Sequence, residues 1–102
     1  MENIRIQVME IGFDDVTLDE AVSIAMQYIE RGEKCRVVTP NPEIARMCRN
    51  DSLLCDIVNS SQLVLPDGIG VVYASRILGH PLRGRVPGFE FAEKLLERMQ
   101  NT

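Results

Sequence analysis

The chain has 102 residues, a net charge of −4, and 45% hydrophobic against 25% charged residues, a balance that describes one globular domain rather than a disordered or fibrous chain. No run of about eighteen apolar residues occurs, and the opening Met1-Glu2-Asn3-Ile4-Arg5 lacks the basic and apolar regions of a secretion signal, so a cytoplasmic protein without membrane spans is expected. Three cysteines (Cys35, Cys48, Cys55) without a C-x-x-C pair, and a single histidine, exclude a disulfide framework and a zinc-ligand cluster.

In chain order, Ile4-Arg5-Ile6-Gln7-Val8 alternates apolar and polar residues and predicts a strand at a sheet edge. Gly12-Phe13-Asp14-Asp15-Val16 reads as a turn. Thr17 then caps a helix over about residues 18–31, with Glu20 completing a capping box and Gly32 as the stop. Its apolar stripe is Leu18, Ala21, Val22, Ala25, Tyr28 and Ile29. Cys35 to Thr39 is a β-branched run and predicts a second strand. Asn41 before Pro42 marks a helix start, because proline is favoured in the first turn. That helix breaks near Asn50, and Asp51 caps the next one, whose apolar face is Leu54, Ile57 and Val58. Gln62-Leu63-Val64-Leu65 is a short buried strand. Asp67-Gly68 opens a helix over about residues 69–78, with Val71, Val72, Ala74, Ser75 and Leu78. A loop from Gly79 to Arg85 precedes a last helix after Pro87-Gly88, with Phe89, Ala92, Leu95, Leu96 and Met99 on one side. The order β-α-β-α-α-β-α-α predicts an α/β fold with a Rossmann-like parallel sheet and flanking helices. Three strands bury little surface on both faces, so the sheet is expected to be incomplete and finished by further chain or by a partner.

Charge is unevenly spread: residues 1–61 hold eleven acids and six bases, residues 62–102 four acids and five bases. Arg76 to Arg85 carries three arginines and His80 without an acid. This is too little for a nucleic-acid footprint; it suits one phosphate or diphosphate group, or simply a solvated loop. Open α/β sheets bind ligands beyond the carboxyl ends of their strands. Thr39, Asn41 and Asp67 all stand where an apolar run meets a helix start. Asp67 suits a general base facing a cleft and equally suits a helix cap, which taken alone is the commoner use of such a residue. Asn41 is likewise either a ligand contact or a cap, and Thr39 either a ligand contact or a strand end. Arg83 and Arg85, which flank Gly84, suit bidentate phosphate binding or surface solubility. His80, before Pro81, reads as a loop residue. Gly68-Ile69-Gly70 lacks the third glycine of a dinucleotide fingerprint, since Tyr73 stands there.

T-P-N-P-E at 39–43, L-P-D-G-I-G-V-V-Y-A-S at 65–75 and R-V-P-G-F-E at 85–90, in this order and spacing, resemble the bacterial TagA/WecG/CpsF-type glycosyltransferases. The segment G-F-D-D-V-T-L-D-E-A at 12–21 is similar to that family's N-terminal part. The resemblance runs from about Ile11 to the end. It implies inverting transfer of an N-acetylmannosamine-type sugar from a UDP donor to N-acetylglucosamine on a polyprenyl diphosphate lipid, in teichoic acid or surface polysaccharide synthesis. It implies Asp67 as the base, Thr39 and Asn41 in or beside the substrate pocket, and Arg85 near phosphate or sugar. It implies no cofactor or metal, and work at the cytoplasmic face of the cell membrane. Family members run well past this chain, and their further part supplies much of the UDP-sugar pocket and a C-terminal membrane contact. The alternative expectation is a non-catalytic domain that binds a sugar or nucleotide, or self-associates through its sheet edge and last apolar helix.

Overall fold

The computed structural model describes residues 4–101. Residues 1–3, which belong to the segment read above for a secretion signal, and residue 102 lie outside it. The described residues form a mixed α/β fold with five helices and two small sheets.

β1 (Arg5–Val8) and β2 (Ile11–Asp14) pair antiparallel, with Arg5 opposite Asp14 and Val8 opposite Ile11. The segment Gly12–Val16, expected as a turn, is therefore mostly strand. The chain reverses one step earlier, at Met9-Glu10, where Met9 has φ 57°. Positive φ at the first central residue of a two-residue hairpin is a position glycine normally fills. Ile11 and Phe13 turn inward and are fully buried, so the alternation of a strand is present although two adjacent acids follow it.

α1 (Leu18–Glu30) starts as expected: the Glu20 N–H donates to Thr17 Oγ1 at 3.2 Å, and the Thr17 N–H donates to Glu20 Oε1 at 2.8 Å. β3 (Val37–Val38) and β4 (Leu63–Val64) pair in parallel, Val37 with Leu63 and Val38 with Val64. Between them lie α2 (Pro42–Cys48) and α3 (Ser52–Asn59), the latter capped by Asp51, whose Oδ1 accepts the Leu54 N–H at 3.0 Å. α4 (Ile69–Ile77) and α5 (Gly88–Gln100) complete the order. The expected single three-stranded parallel sheet thus resolves into one parallel pair and one hairpin. The hairpin turns β1 onto β2, so β1 takes no place beside β3 or β4.

The parallel pair is covered on both faces, as parallel strands require. Leu63 and Leu65 enter a core with Val22, Ala25, Met26, Val86 and Phe91, which joins α1 and α5. Val64 points the opposite way, into a core with Phe13, Ala45, Cys48, Val58 and Val71. The two sheets are joined by a side chain rather than a ladder. Asp14, fully buried at the end of β2, accepts the Val64 N–H at 2.7 Å through Oδ2 and pairs with Arg5 Nε at 3.1 Å through Oδ1. Arg5 also donates to the carbonyls of Asn59 and Ser61, both at 2.6 Å. The guanidinium thereby ties the end of α3 and the approach to β4 onto the hairpin.

Candidate active site

β3 runs into Thr39-Pro40-Asn41, and β4 into Leu65-Pro66-Asp67-Gly68. Because the strands are parallel and in register, both extensions leave the sheet at the same end. A third segment is fastened there, since the Val86 N–H donates to the Pro66 carbonyl at 2.9 Å. Two residues on, a methyl group placed on Gly88 would lie 3.3 Å from Thr39 Cγ2 and 3.5 Å from Asp67 Oδ2. Thr39, Asp67 and Gly88 therefore converge at one point. The same construction on Gly70 would lie 3.8 Å from Pro42 Cγ, so the first turns of α2 and α4 adjoin beside it. This edge gathers helix N-termini, which favour anions, around a carboxylate.

Asp67 is not the cap of α4. Gly68 takes that position in an extended conformation and gives no side-chain hydrogen bond. The Asp67 carboxylate is half-buried and has no hydrogen-bond partner among the described residues, while its own N–H is held by the Leu65 carbonyl at 3.0 Å. Asn41 does cap α2, its Oδ1 accepting the Ile44 N–H at 2.8 Å; its side-chain NH2 remains available to a ligand. Thr39 is exposed at the mouth of the site.

The two arginines that looked alike in sequence are used differently. Arg83 is engaged by the protein itself. Its Nη2 donates to Glu20 Oε1 at 2.7 Å and to the Asp15 carbonyl, and its backbone N–H donates to Asp15 Oδ1 at 2.9 Å. The Thr17 backbone N–H and the Arg83 side chain hold the Glu20 carboxyl below its ordinary range, and Glu20 in turn raises Arg83. Arg83 braces the loop after α4 against the start of α1, in place of the free phosphate-binding fork expected of it. Arg85 is exposed and carries no ion pair among the described residues. His80 is an exposed loop residue. Burial pushes the Cys48 and Cys35 thiols up, the behaviour of inert packing groups rather than nucleophiles.

Two features escaped sequence reasoning. The Arg5–Asp14 clamp had no local signal, because Asp14 falls on the face of β2 opposite Ile11 and Phe13. Gly88 stood inside a recognised motif, but its close approach to Thr39 and Asp67 depends on contacts between distant segments. Two open clefts, of about 350 and 440 Å3, lie at the other end of the parallel pair, lined by Arg5, Asp14 and Ser61 and by Lys34, Arg36 and Gln62. They are polar surface hollows at the strands' amino ends. We place the candidate site at the carboxyl ends, where three motif segments meet around Asp67.

Residues 6–102 match the glycosyl transferase WecG/TagA/CpsF family. The chain belongs to that family. It is 32% identical over 92 residues to an N-acetylglucosaminyldiphosphoundecaprenol N-acetyl-beta-D-mannosaminyltransferase of Bacillus spizizenii, covering 89% of this chain and 36% of the relative. A Bacillus subtilis protein of the same name is 39% identical over 69 residues, 68% of this chain and 27% of the relative. One from Staphylococcus aureus is 27% identical over 95 residues, 91% of this chain and 37% of the relative. The chain thus spans about a third of the length of these glycosyltransferases.

Proposed function

We propose that this chain carries the acceptor-activating part of an inverting glycosyltransferase, with Asp67 as general base. The hydroxyl of N-acetylglucosamine on a polyprenyl diphosphate loses its proton to the Asp67 carboxylate. Its oxygen attacks the anomeric carbon of an N-acetylmannosamine-type sugar, and the bond from that carbon to the UDP oxygen breaks. A single displacement of this kind inverts the centre and gives UDP as the leaving group. Charge that develops on the diphosphate suits the adjoining N-termini of α2 and α4 and the unpaired Arg85. Thr39 and the free amide of Asn41 orient the sugar. Arg83 acts at one remove, by holding the loop that carries Arg85.

The observation that carries this reading is the Asp67 carboxylate, released from capping by Gly68 and facing Thr39 across Gly88. The names of the relatives supply the substrate class: they transfer N-acetylmannosamine to a lipid-linked N-acetylglucosamine diphosphate. We read the parallel pair as the nucleus of a Rossmann-like sheet, with the donor pocket completed by sequence that relatives carry beyond the matched third. The place of work is then the cytoplasmic membrane face.

In a preparation that transfers sugar, Asp67→Asn is expected to lower the rate by about 10²–10⁴, the usual contribution of a positioned base, with an unchanged melting profile. Transfer at the unaltered rate would remove Asp67 from the chemistry. One second reading, binding of a sugar nucleotide without turnover, rests on Arg85, exposed and without an ion pair among the described residues. In that case UDP binds, Arg85→Ala weakens it, and no transfer is seen.

A further inference from the structure

Ser75 shares the buried face of α4 with Val71 and Val72 and is fully enclosed. A hydroxyl is kept in such a place only with its hydrogen bonds made. Ser75 Oγ donates to the Val72 carbonyl at 2.6 Å and accepts the Leu82 N–H at 3.0 Å. The Ser75 carbonyl accepts the His80 N–H at 3.1 Å, after the chain turns back at Gly79, whose φ is 84°. On the residue after Leu82, the Arg83 N–H donates to Asp15 Oδ1 at 2.9 Å. The Val86 N–H donates to the Pro66 carbonyl at 2.9 Å, and Pro81 and Pro87 have no N–H to offer. Among the described residues, every backbone donor from His80 to Pro87 is therefore bonded to the protein except those of Gly84 and Arg85. Leu82 is sunk in the core around Val64, and Val86 in the core around Leu63. The loop passes from one core to the other with Arg85 between its anchors.

We propose that Ser75 is a positioning residue for Arg85: by pinning Leu82 it holds the loop so that the guanidinium stands where a sugar-nucleotide diphosphate binds. This rests on the reading of Arg85 as the diphosphate contact and adds the residue that sets its place. Three Cα steps separate the pinned amides of Arg83 and Val86, at most roughly 11 Å of chain. Gly84 contributes no packing, since a Cβ added there would meet nothing within 4 Å. The Arg85 side chain is exposed and carries no ion pair among the described residues. The place of Arg85 thus comes from its anchors, not from Gly84 or from its own contacts. A loop anchored in advance spares the ligand the entropy of ordering it. The need for a hydroxyl follows from the same bonds. Alanine is the better helix former and would suit the apolar face, but it would leave the Leu82 N–H in the core without an acceptor. Asp15 Oδ1 is a second pin, set on the adjoining Arg83 from the segment before α1.

The test is isothermal titration calorimetry with UDP on the unaltered chain, Ser75→Ala, Arg85→Ala and the double variant. Arg85→Ala should weaken UDP binding about tenfold or more, as for a lost charge-assisted contact. Ser75→Ala should weaken it roughly fivefold to tenfold, the effect of having to order about one freed residue. In the Arg85→Ala background, Ser75→Ala should add less than about twofold, because a pin that acts through Arg85 has nothing left to place. A serine that only supports the fold would weaken binding equally in both backgrounds, and that result overturns the proposal. If Ser75→Ala does not fold, Asp15→Ala, at a half-buried position, takes its place in the same cycle with the same expectation and the same refutation. A loss in Arg85→Ala without one in Ser75→Ala removes the positioning role alone. Absence of UDP binding by the unaltered chain, or binding indifferent to Arg85→Ala, removes the diphosphate role of Arg85 and the positioning role with it. The base assignment of Asp67 is read from transfer and stands or falls separately.

Discussion

Replacing Arg5 with alanine should be the most damaging single change outside the hydrophobic core. The Asp14 carboxylate is fully buried, while the Arg5 side chain keeps 30% of its surface. Arg5→Ala removes the cation from a carboxylate that cannot reach water, a loss of about 3–5 kcal/mol for a broken buried pair. It also frees the Asn59 and Ser61 carbonyls, which Arg5 holds at 2.6 Å each. Asp14→Ala is milder, about 2–3 kcal/mol: it strands the Val64 N–H, worth about 1–3 kcal/mol, but Arg5 can turn its guanidinium outward. The double variant has no stranded charge, so the two losses should fall short of additivity by about 2–3 kcal/mol. A domain of this size has only about 5–15 kcal/mol in total. Urea unfolding followed by far-UV circular dichroism, with the slope held constant across variants, reads all four states. A loss under about 1 kcal/mol for Arg5→Ala, or strict additivity in the cycle, would refute the view that this clamp fastens β4 to the hairpin.

Gly88→Ala should separate folding from function. Alanine at the first position of α5 changes stability by less than about 1 kcal/mol, but its methyl group presses on Thr39 and Asp67, so ligand binding or transfer should fall roughly tenfold; unchanged function with unchanged stability would mean the convergence there is not the site. Glu20 is tested by pH. Its folded-state carboxyl sits below the ordinary range, so its stabilising contribution is fully present above the unfolded value and is lost as pH falls through the lower folded one. Melting temperatures of the native chain should drop more steeply than those of Glu20→Gln between about pH 5 and 3; parallel curves would deny Glu20 its role with Arg83. The two aspartates at helix starts should also part company. Asp51→Ala should cost about 1 kcal/mol, as for any lost cap, whereas Asp67→Ala should leave the denaturation midpoint unmoved, and a matching loss at Asp67 would show that it caps after all.

Much of this architecture could be read from local pattern. The α1 capping box, the Asn41 and Asp51 caps and the glycine after α1 each depend on residues within a few positions, and each stands where the spacing puts it. What could not be read depends on partners far along the chain. Met9 turns the hairpin without the glycine or asparagine that would announce it, so β2 was hidden. Arg83 and Arg85 are equivalent in sequence, and only the approach of Asp15 and Glu20 across the fold makes one a brace and leaves the other without an ion pair among the described residues. Leu78, at the end of the expected helix, is 52% exposed, because α4 carries apolar residues on two faces and periodicity cannot choose between them. Phe89, Leu96 and Met99 on α5 likewise face outward, since Phe91 and Leu95 meet the core that contains α1.

The sharpest contrast among the described residues is between three helix starts that look alike. Asn41 before α2 and Asp51 before α3 each give a side-chain oxygen to the backbone, to Ile44 and Leu54. Asp67 stands one residue too early to do the same, because Gly68 occupies the capping position of α4. That one-residue offset leaves the first turn of α4 without a side-chain cap and leaves the carboxylate without a hydrogen-bond partner among the described residues. A capping oxygen would be directed along the helix axis and already hydrogen-bonded; this one instead borders Thr39 in the gap that Gly88 keeps open. The uncapped amides and the unengaged carboxylate then sit side by side, one suited to an anion and the other to a proton. A diphosphate-linked acceptor presents both needs at once, which is why the glycine after Asp67 matters to the chemistry as much as the aspartate.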